Sequence, residues 1–252
     1  MKKALISVRT RFAKDIVAEV FFPEKQIGKV AILAIGAPTS SPKKEMLQFL
    51  ARKGYVAIFP RYRGTWESDG WFLQKSPAQD IYDVVVELQK RKSVVDIAGE
   101  KFPIKVGVVH LFGGSFGGPA VLLSTHLSIV KKVIATSPII DWSAEGEDEP
   151  FDKFVRFSCL GYGGVYRTKQ KSDWQKLMQT DFYNPVAHAK KIDGKKVFII
   201  HAKDDTIVPC DPVIPFAEKI GATYYLKPTG GHHIRTTHQF LWKKIAAFLK
   251  KR

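Results

Sequence analysis

Residues 104–123 read IKVGVVHLFGGSFGGPAVLL, and the fold turns on how they are read. Residues 104–112 are almost all apolar, the pattern of a strand buried on both faces at the centre of a parallel sheet. Four glycines then surround Ser115 and Phe116, and an apolar helical run, FGGPAVLLSTHL, follows. Three readings compete for Ser115: a nucleophile on a strained turn, a serine in a flexible glycine loop, or part of a phosphate cradle. Neither GxxxxGK[ST] nor GxGxxG is present here, which removes the third. Gly113 to Gly117 match G-x-S-x-G, and the strand before and helix after give that pattern its physical meaning. The glycines permit close backbone approach, and the hydroxyl projects at a helix N-terminus, where the developing negative charge of an acyl-transfer intermediate is favoured.

Outward from this stretch, strands and helices alternate. DIVAEVFF (15–22), KVAILAI (29–35), YVAIFP (55–60), KKVIATSPII (131–140), KVFIIHA (196–202) and ATYYLKP (222–228) read as strands. SPKKEMLQFLARKG (41–54) reads as a helix capped by Ser41, with Pro42 in its first turn and Gly54 as its stop. A second helix starts at Ser76, with Pro77 at its first position and Gln79 placed to complete a capping box. Residues 236–252 read as a closing amphipathic helix with a basic end. The expectation is a single α/β domain over 1–252 with a mostly parallel central sheet flanked by helices. Residues 142–192 carry no strong strand and are expected to form a small cap or lid insertion.

Composition narrows the partners. The 252 residues are 45% hydrophobic, enough for one sizeable core, and no run approaches the ~20 apolar residues of a membrane helix. Arg9 and Arg11 interrupt the N-terminal apolar run before it reaches signal length, so it reads as a first strand and a cytoplasmic location is the expectation. Two cysteines, Cys159 and Cys210, stand far apart without metal-ligand spacing, so no metal and no cofactor are expected. The formal charge is +16, but the lysines fall in scattered pairs without interleaved aromatics. That is a solvated basic surface, and no nucleic-acid partner is expected. Oligomeric state is not legible.

A nucleophilic serine needs a base, and the base an orienting acid, in the chain order Ser, acid, His. HAKDDTIVP places acids just after the strand at 196–202, and TGGHHI places histidines just after the strand at 222–228. Asp205 and His232 thus occupy neighbouring strand-end loops, where sites of open α/β sheets collect. Asp204 and Asp141 are alternative acids, and His233 is the alternative base. His238, His201, His110, His126 and His188 read as packing or surface residues, and Arg63 as a loop brace.

These segments resemble the prolyl-oligopeptidase-like (S9-like) serine hydrolases of the α/β-hydrolase superfamily. HAKDDTIVP resembles that group's H-G-x-x-D-x-x-V-P, which puts the acid on Asp205; GGHH resembles its histidine loop, which puts the base on His232. FPRYRGTWESDGWF (59–72) resembles its N-Y-R-G-S segment and, more loosely, a stretch of cocaine-esterase-like enzymes. IGAP (35–38) stands where the family has H-G-x-P. Ile35 replaces the usual histidine and Ala202 the usual glycine.

The resemblance implies a Ser115–His232–Asp205 catalytic triad, with an oxyanion hole of the Phe116 and Ala37 backbone N–H groups. Trp66, Trp71, Phe72 and Trp142 are candidate walls of a substrate pocket. The expected activity is a serine carboxylesterase acting on a small-molecule ester through an acyl-enzyme. A peptidase of the prolyl-oligopeptidase or acylaminoacyl type, acting on short peptides, is the alternative; the absence of a β-propeller stretch in these residues tilts the expectation to the ester. A non-catalytic hydrolase fold binding a polyanion is the reading from another class.

Overall fold

The computed structural model describes residues 5–38 and 44–251. The apolar segments close into one eight-stranded sheet of β1 (Ser7–Phe12), β2 (Ile16–Phe21), β3 (Lys29–Ala34), β4 (Tyr55–Pro60), β7 (Val108–Gly114), β8 (Val130–Thr136), β9 (Val197–Ala202) and β10 (Thr223–Lys227). Their spatial order is β1-β2-β4-β3-β7-β8-β9-β10. β2 runs antiparallel to both β1 and β4, and every other pairing is parallel. Every residue of β4 and β9 is buried, as expected of parallel strands covered on both faces. This is the α/β-hydrolase arrangement that the sequence predicts.

Six helices accompany the sheet: α1 (Lys44–Arg52), α2 (Pro77–Lys90), α3 (Gly117–Leu122), α4 (Phe151–Gly161), α5 (Val213–Ile220) and α6 (Gln239–Lys250). The proposed cap Ser41 and Pro42 of α1 lie outside the described residues. Ser76 caps α2 by accepting from the Ala78 N–H, but Gln79 turns its amide to Asp83 one turn on. The strand expected at 104–112 begins at Val108 instead. Gly107 and Val108 both donate to the Gly28 carbonyl, and a separate hairpin of β5 (Ser93–Val95) and β6 (Lys101–Pro103) precedes them. The helix after Ser115 is shorter than its apolar run, because the N–H groups of Ser124 and Thr125 bond three residues back and tighten its last turn. Residues 142–192 add no strand to the sheet; they carry α4 and the 3₁₀ turns Lys171–Met178 and Ala189–Lys191. No helix among the described residues is long and apolar enough to cross a membrane.

At the end of central β7 the chain reverses sharply into α3. Ser115 sits at φ +52°, a left-handed conformation that costs a residue with a side chain about 1–2 kcal/mol. Its N–H is shared between the carbonyls of Thr136 and Ser137, both 3.1 Å away, and its carbonyl accepts from Gly118 at 2.9 Å and Ile139 at 3.2 Å. The turn also needs glycine for space. A Cβ on Gly113 would lie 2.3 Å from the Gly117 carbonyl oxygen, and one on Gly117 would lie 2.4 Å from that of Ala34.

The loop after β4 is locked by charge. Arg63 pairs with Asp80, with Asp15 at 2.8 Å and with Asp83 at 2.8 Å, while its backbone N–H also bonds Asp80. Burial pushes the Asp80 carboxyl up to about 6 despite the guanidinium beside it. From the same loop, the Tyr62 hydroxyl donates to the Ile35 carbonyl at 3.0 Å and so ties this loop to the one after β3.

Two outcomes follow from this framework. Gly117→Ala should lower stability by about 1–3 kcal/mol in urea unfolding, since only backbone movement can admit the methyl; an unchanged midpoint would show that the turn yields. Arg63→Leu leaves Asp80 buried without its partner and should cost about 3–5 kcal/mol at neutral pH. The sign of its pH dependence is set by Asp80. A carboxyl whose folded pKa is raised destabilises as it ionises, so the deficit relative to wild type should be larger at pH 8 than at pH 5.

Candidate active site

Three strand ends converge. β7 delivers Ser115, the loop after β9 delivers Asp205, and the loop after β10 delivers His232. The last two loops are joined by the Lys203 N–H bonding the Lys227 carbonyl at 2.9 Å.

The Asp205 side chain is fully buried. Its Oδ1 accepts the backbone N–H groups of Ile207 and Val208, both at 3.0 Å. Its Oδ2 lies 2.9 Å from His232 Nδ1 and 3.1 Å from His201 Nε2. A carboxylate has about four lone-pair positions, and here four donors face them. Burial alone would raise this carboxyl; the hydrogen bonds from His201, His232 and Val208 outweigh it and hold Asp205 well below the usual carboxylate range.

The alternative residues are engaged elsewhere. Asp204 accepts the N–H groups of Gly230 at 3.0 Å and Gly231 at 2.9 Å, which lowers its carboxyl and fastens the turn that carries His232. Asp141 accepts from the Ser143 N–H at 3.0 Å and from Asn184 at 3.2 Å. His233 is exposed, its ring centroid 5.4 Å from that of His232.

Ser137, buried and at φ +42°, links the parts. Its carbonyl accepts the Ser115 N–H, its own N–H donates to Ile200 in β9 at 2.8 Å, and its hydroxyl donates to the His232 carbonyl at 3.0 Å. One residue therefore fixes the backbones of Ser115 and His232 relative to each other.

A cavity of about 50 Å³ opens beside Ser115. Its apolar wall includes Trp142, Phe151 and Phe154, and its polar wall Asp141, Glu145 and Glu149. Burial raises the Glu149 carboxyl, against the pull of His232 and Lys153. Ala37 lines this cavity too. Phe116 precedes α3, its carbonyl accepting the Tyr183 hydroxyl at 2.6 Å and its ring fully buried against Tyr62, Phe72, Trp142, Phe154 and Tyr183. Of the four candidate pocket aromatics, Trp142 lines the cavity. Phe72 lies in the core against Phe116 and Trp174, Trp71 is 45% exposed, and neither Trp71 nor Trp66 borders the cavity.

Sequence reading missed the positions of His201, Ser137, Glu145 and Glu149. His201 had a visible signal, its spacing of four from Asp205 at a strand end. Ser137 had none, because its bonds join segments 22 and 95 residues away. Among the described residues no group of three or more His, Cys, Asp or Glu side chains is placed to hold a metal, and Cys159 and Cys210 are both free thiols.

Comparison with known proteins agrees with this fold. Solved structures resemble the chain at low sequence identity. Acylaminoacyl peptidase of Pyrococcus horikoshii superposes with a TM-score of 0.65 at 19% identity, covering 98% of this chain but 41% of that one. An esterase of Pyrococcus furiosus gives 0.68 at 18% identity, covering 98% and 90%. An α/β-hydrolase of a Penicillium species gives 0.70 at 15% identity, covering 98% of each chain. The chain thus spans about two fifths of the peptidase's length. No curated protein sequence matches. The profile of the X-Pro dipeptidyl-peptidase (S15) family matches residues 14–149, more than half of the 252, a stretch that includes the turn at Ser115 and ends before Asp205 and His232. The chain belongs to the X-Pro dipeptidyl-peptidase (S15) family, serine hydrolases of the α/β-hydrolase fold.

Proposed function

We propose that the protein hydrolyses carboxylic esters of short acyl groups through an acyl-enzyme on Ser115, and that residues 142–192 act as a cap over the site within a single domain. The observation that carries this reading is the pairing of His232 Nδ1 with a buried, four-fold bonded Asp205, in loops bound through Ser137 to the strained turn of Ser115. With Nδ1–H held by Asp205, His232 presents Nε2 as the base. It takes the Ser115 proton as Oγ attacks the acyl carbon, and the N–H groups of Phe116 and Ala37 receive the oxyanion. Collapse of the tetrahedral intermediate expels the alkoxide, which takes the proton from His232. Water then repeats the sequence: it gives His232 a proton, attacks the acyl carbon and releases the acid as Ser115 recovers its proton. The small cavity and its aromatic wall suit a short acyl group.

A second reading, peptide hydrolysis by the same steps, is favoured by the family match and by the carboxylates of Asp141, Glu145 and Glu149 beside Ser115. In a chain of formal charge +16, carboxylates concentrated there suit a substrate with a free ammonium.

A fluorophosphonate probe should label the wild type and leave Ser115→Ala unlabelled; equal labelling of both would remove Ser115 from the chemistry. In parallel assays, p-nitrophenyl acetate and butyrate should turn over faster than aminoacyl p-nitroanilides, and Ser115→Ala should abolish both. Preference for anilides with a free amine, lost on N-acetylation, would move the assignment to the second reading.

A further inference from the structure

We infer that His201 is a positioning residue that locks the carboxylate of Asp205 in register with His232. His201 lies on β9, paired in register with Leu226 of β10, and its side chain is completely buried. Its Nε2 lies 3.1 Å from Asp205 Oδ2 and 3.0 Å from the Val208 carbonyl, while Nδ1 is buried without a hydrogen-bond partner. Both groups facing Nε2 are acceptors, so Nε2 carries the hydrogen. A leucine there would bury similar apolar bulk without orphaning Nδ1; what the histidine adds is one N–H that bonds the Val208 carbonyl and lies within 3.1 Å of Oδ2. Val208 closes the figure, since its N–H donates to Oδ1 while its carbonyl shares the His201 hydrogen. The carboxylate is thus held at both oxygens by its own strand and loop, and His232 meets an acceptor that cannot rotate.

This second imidazole also sets the charge that His232 faces. Oδ2 divides its negative charge between two donors, so it stabilises an imidazolium at His232 less than a singly bonded oxygen would. The other groups around the pair remain unchanged when His201 is altered. Glu149 acts on His232 from the segment before α4, with Lys153 beside it; His233 flanks His232; Asp204 and Cys210 lie in the loop of Asp205, with Lys203 and Asp211 near Cys210.

The inference rests on the reading of Asp205 as the acid of the site, and the variants separate the two. His201→Leu should lower kcat by about 10²-fold, the scale of a misplaced catalytic group, with little change in KM. Its kcat/KM profile should have the acid limb displaced to higher pH. His201→Gln, whose amide nitrogen stands where Nε2 did, should restore both kcat and the position of that limb. His201→Asn, too short to reach Oδ2, should behave as the leucine variant does, and it keeps the test open if the leucine variant does not fold. Wild-type turnover and acid limb in His201→Leu or His201→Asn, or a glutamine variant as impaired as either, would overturn the inference while an inactive Asp205→Asn left the acid assignment standing. A fully active Asp205→Asn would overturn both.

Discussion

The turn at Ser115 is the constraint from which the rest of the site is built. A residue with a side chain held at φ +52° relaxes unless its surroundings determine its conformation. Here they do so on three sides. The backbone of Ser115 is hydrogen-bonded to Thr136 at the end of β8, to Ser137 just after it and to Ile139 beyond, while Gly113 and Gly117 approach neighbouring backbone more closely than any Cβ allows. The strain is therefore carried by the end of the parallel sheet, which is rigid because its strands are buried on both faces. A serine in a flexible glycine loop would have none of these bonds. The glycines of GGSFGG provide close packing, and close packing is what keeps the serine in place.

Ser137 extends that rigidity to the histidine. It accepts from Ser115, donates to β9 through its N–H and donates to the His232 carbonyl through its hydroxyl, so the backbones of Ser115 and His232 are tied to the sheet and to each other. Asp204 holds the same histidine turn from its other side through two glycine N–H groups. The acidic pair in HAKDDTIVP thus divides its work: Asp204 positions the loop, and Asp205 bonds the imidazole. On the opposite flank, the Arg63 ion cluster fixes the loop after β4, and Tyr62 in that loop bonds Ile35 just ahead of Ala37. Arg63, read from sequence as a loop brace, is a brace that is largely buried. It contributes because three carboxylates surround it in a site that excludes most water.

The strands, the turn at Ser115 and the pairing of Asp205 with His232 were legible because each rests on local patterning: apolar runs, glycines at a turn, and acids and histidines placed just after strands. What was not legible depends on contacts between distant segments. The hairpin of β5 and β6 has strands of only three residues each, too short to show a period, and the later start of β7 is set by Gly28, which accepts hydrogen bonds from Gly107 and Val108. Phe72 and Trp142 look equivalent as aromatics near strand ends. One is sealed into the core by Phe116 and Trp174, and the other faces the cavity, a difference decided by how residues 142–192 fold back. His201 reads as a packing or surface residue because a histidine inside an apolar strand has no periodic signature; its spacing of four from Asp205 gains meaning only when the loop returns and brings Asp205 and Val208 to its Nε2.

The same division explains why the chemistry is more sharply defined than the substrate. On the reading proposed above, nucleophile, base and acid lie just after strands of the sheet, held by backbone hydrogen bonds, and such a frame serves ester and amide cleavage alike. On that same reading, discrimination between them falls to the wall of the cavity beside Ser115, lined by Asp141, Glu145 and Glu149 and by Phe151, Phe154 and Trp142. Those residues come from the loop after β8 and the start of α4, held by side-chain contacts such as Trp142 Nε1 donating to the Tyr183 carbonyl. Replacing a single carboxylate there would alter which charge the site accepts without touching the serine, the imidazole or the turn that carries them. In this fold, reaction type is a property of the sheet, and specificity is a property of what the chain lays across it.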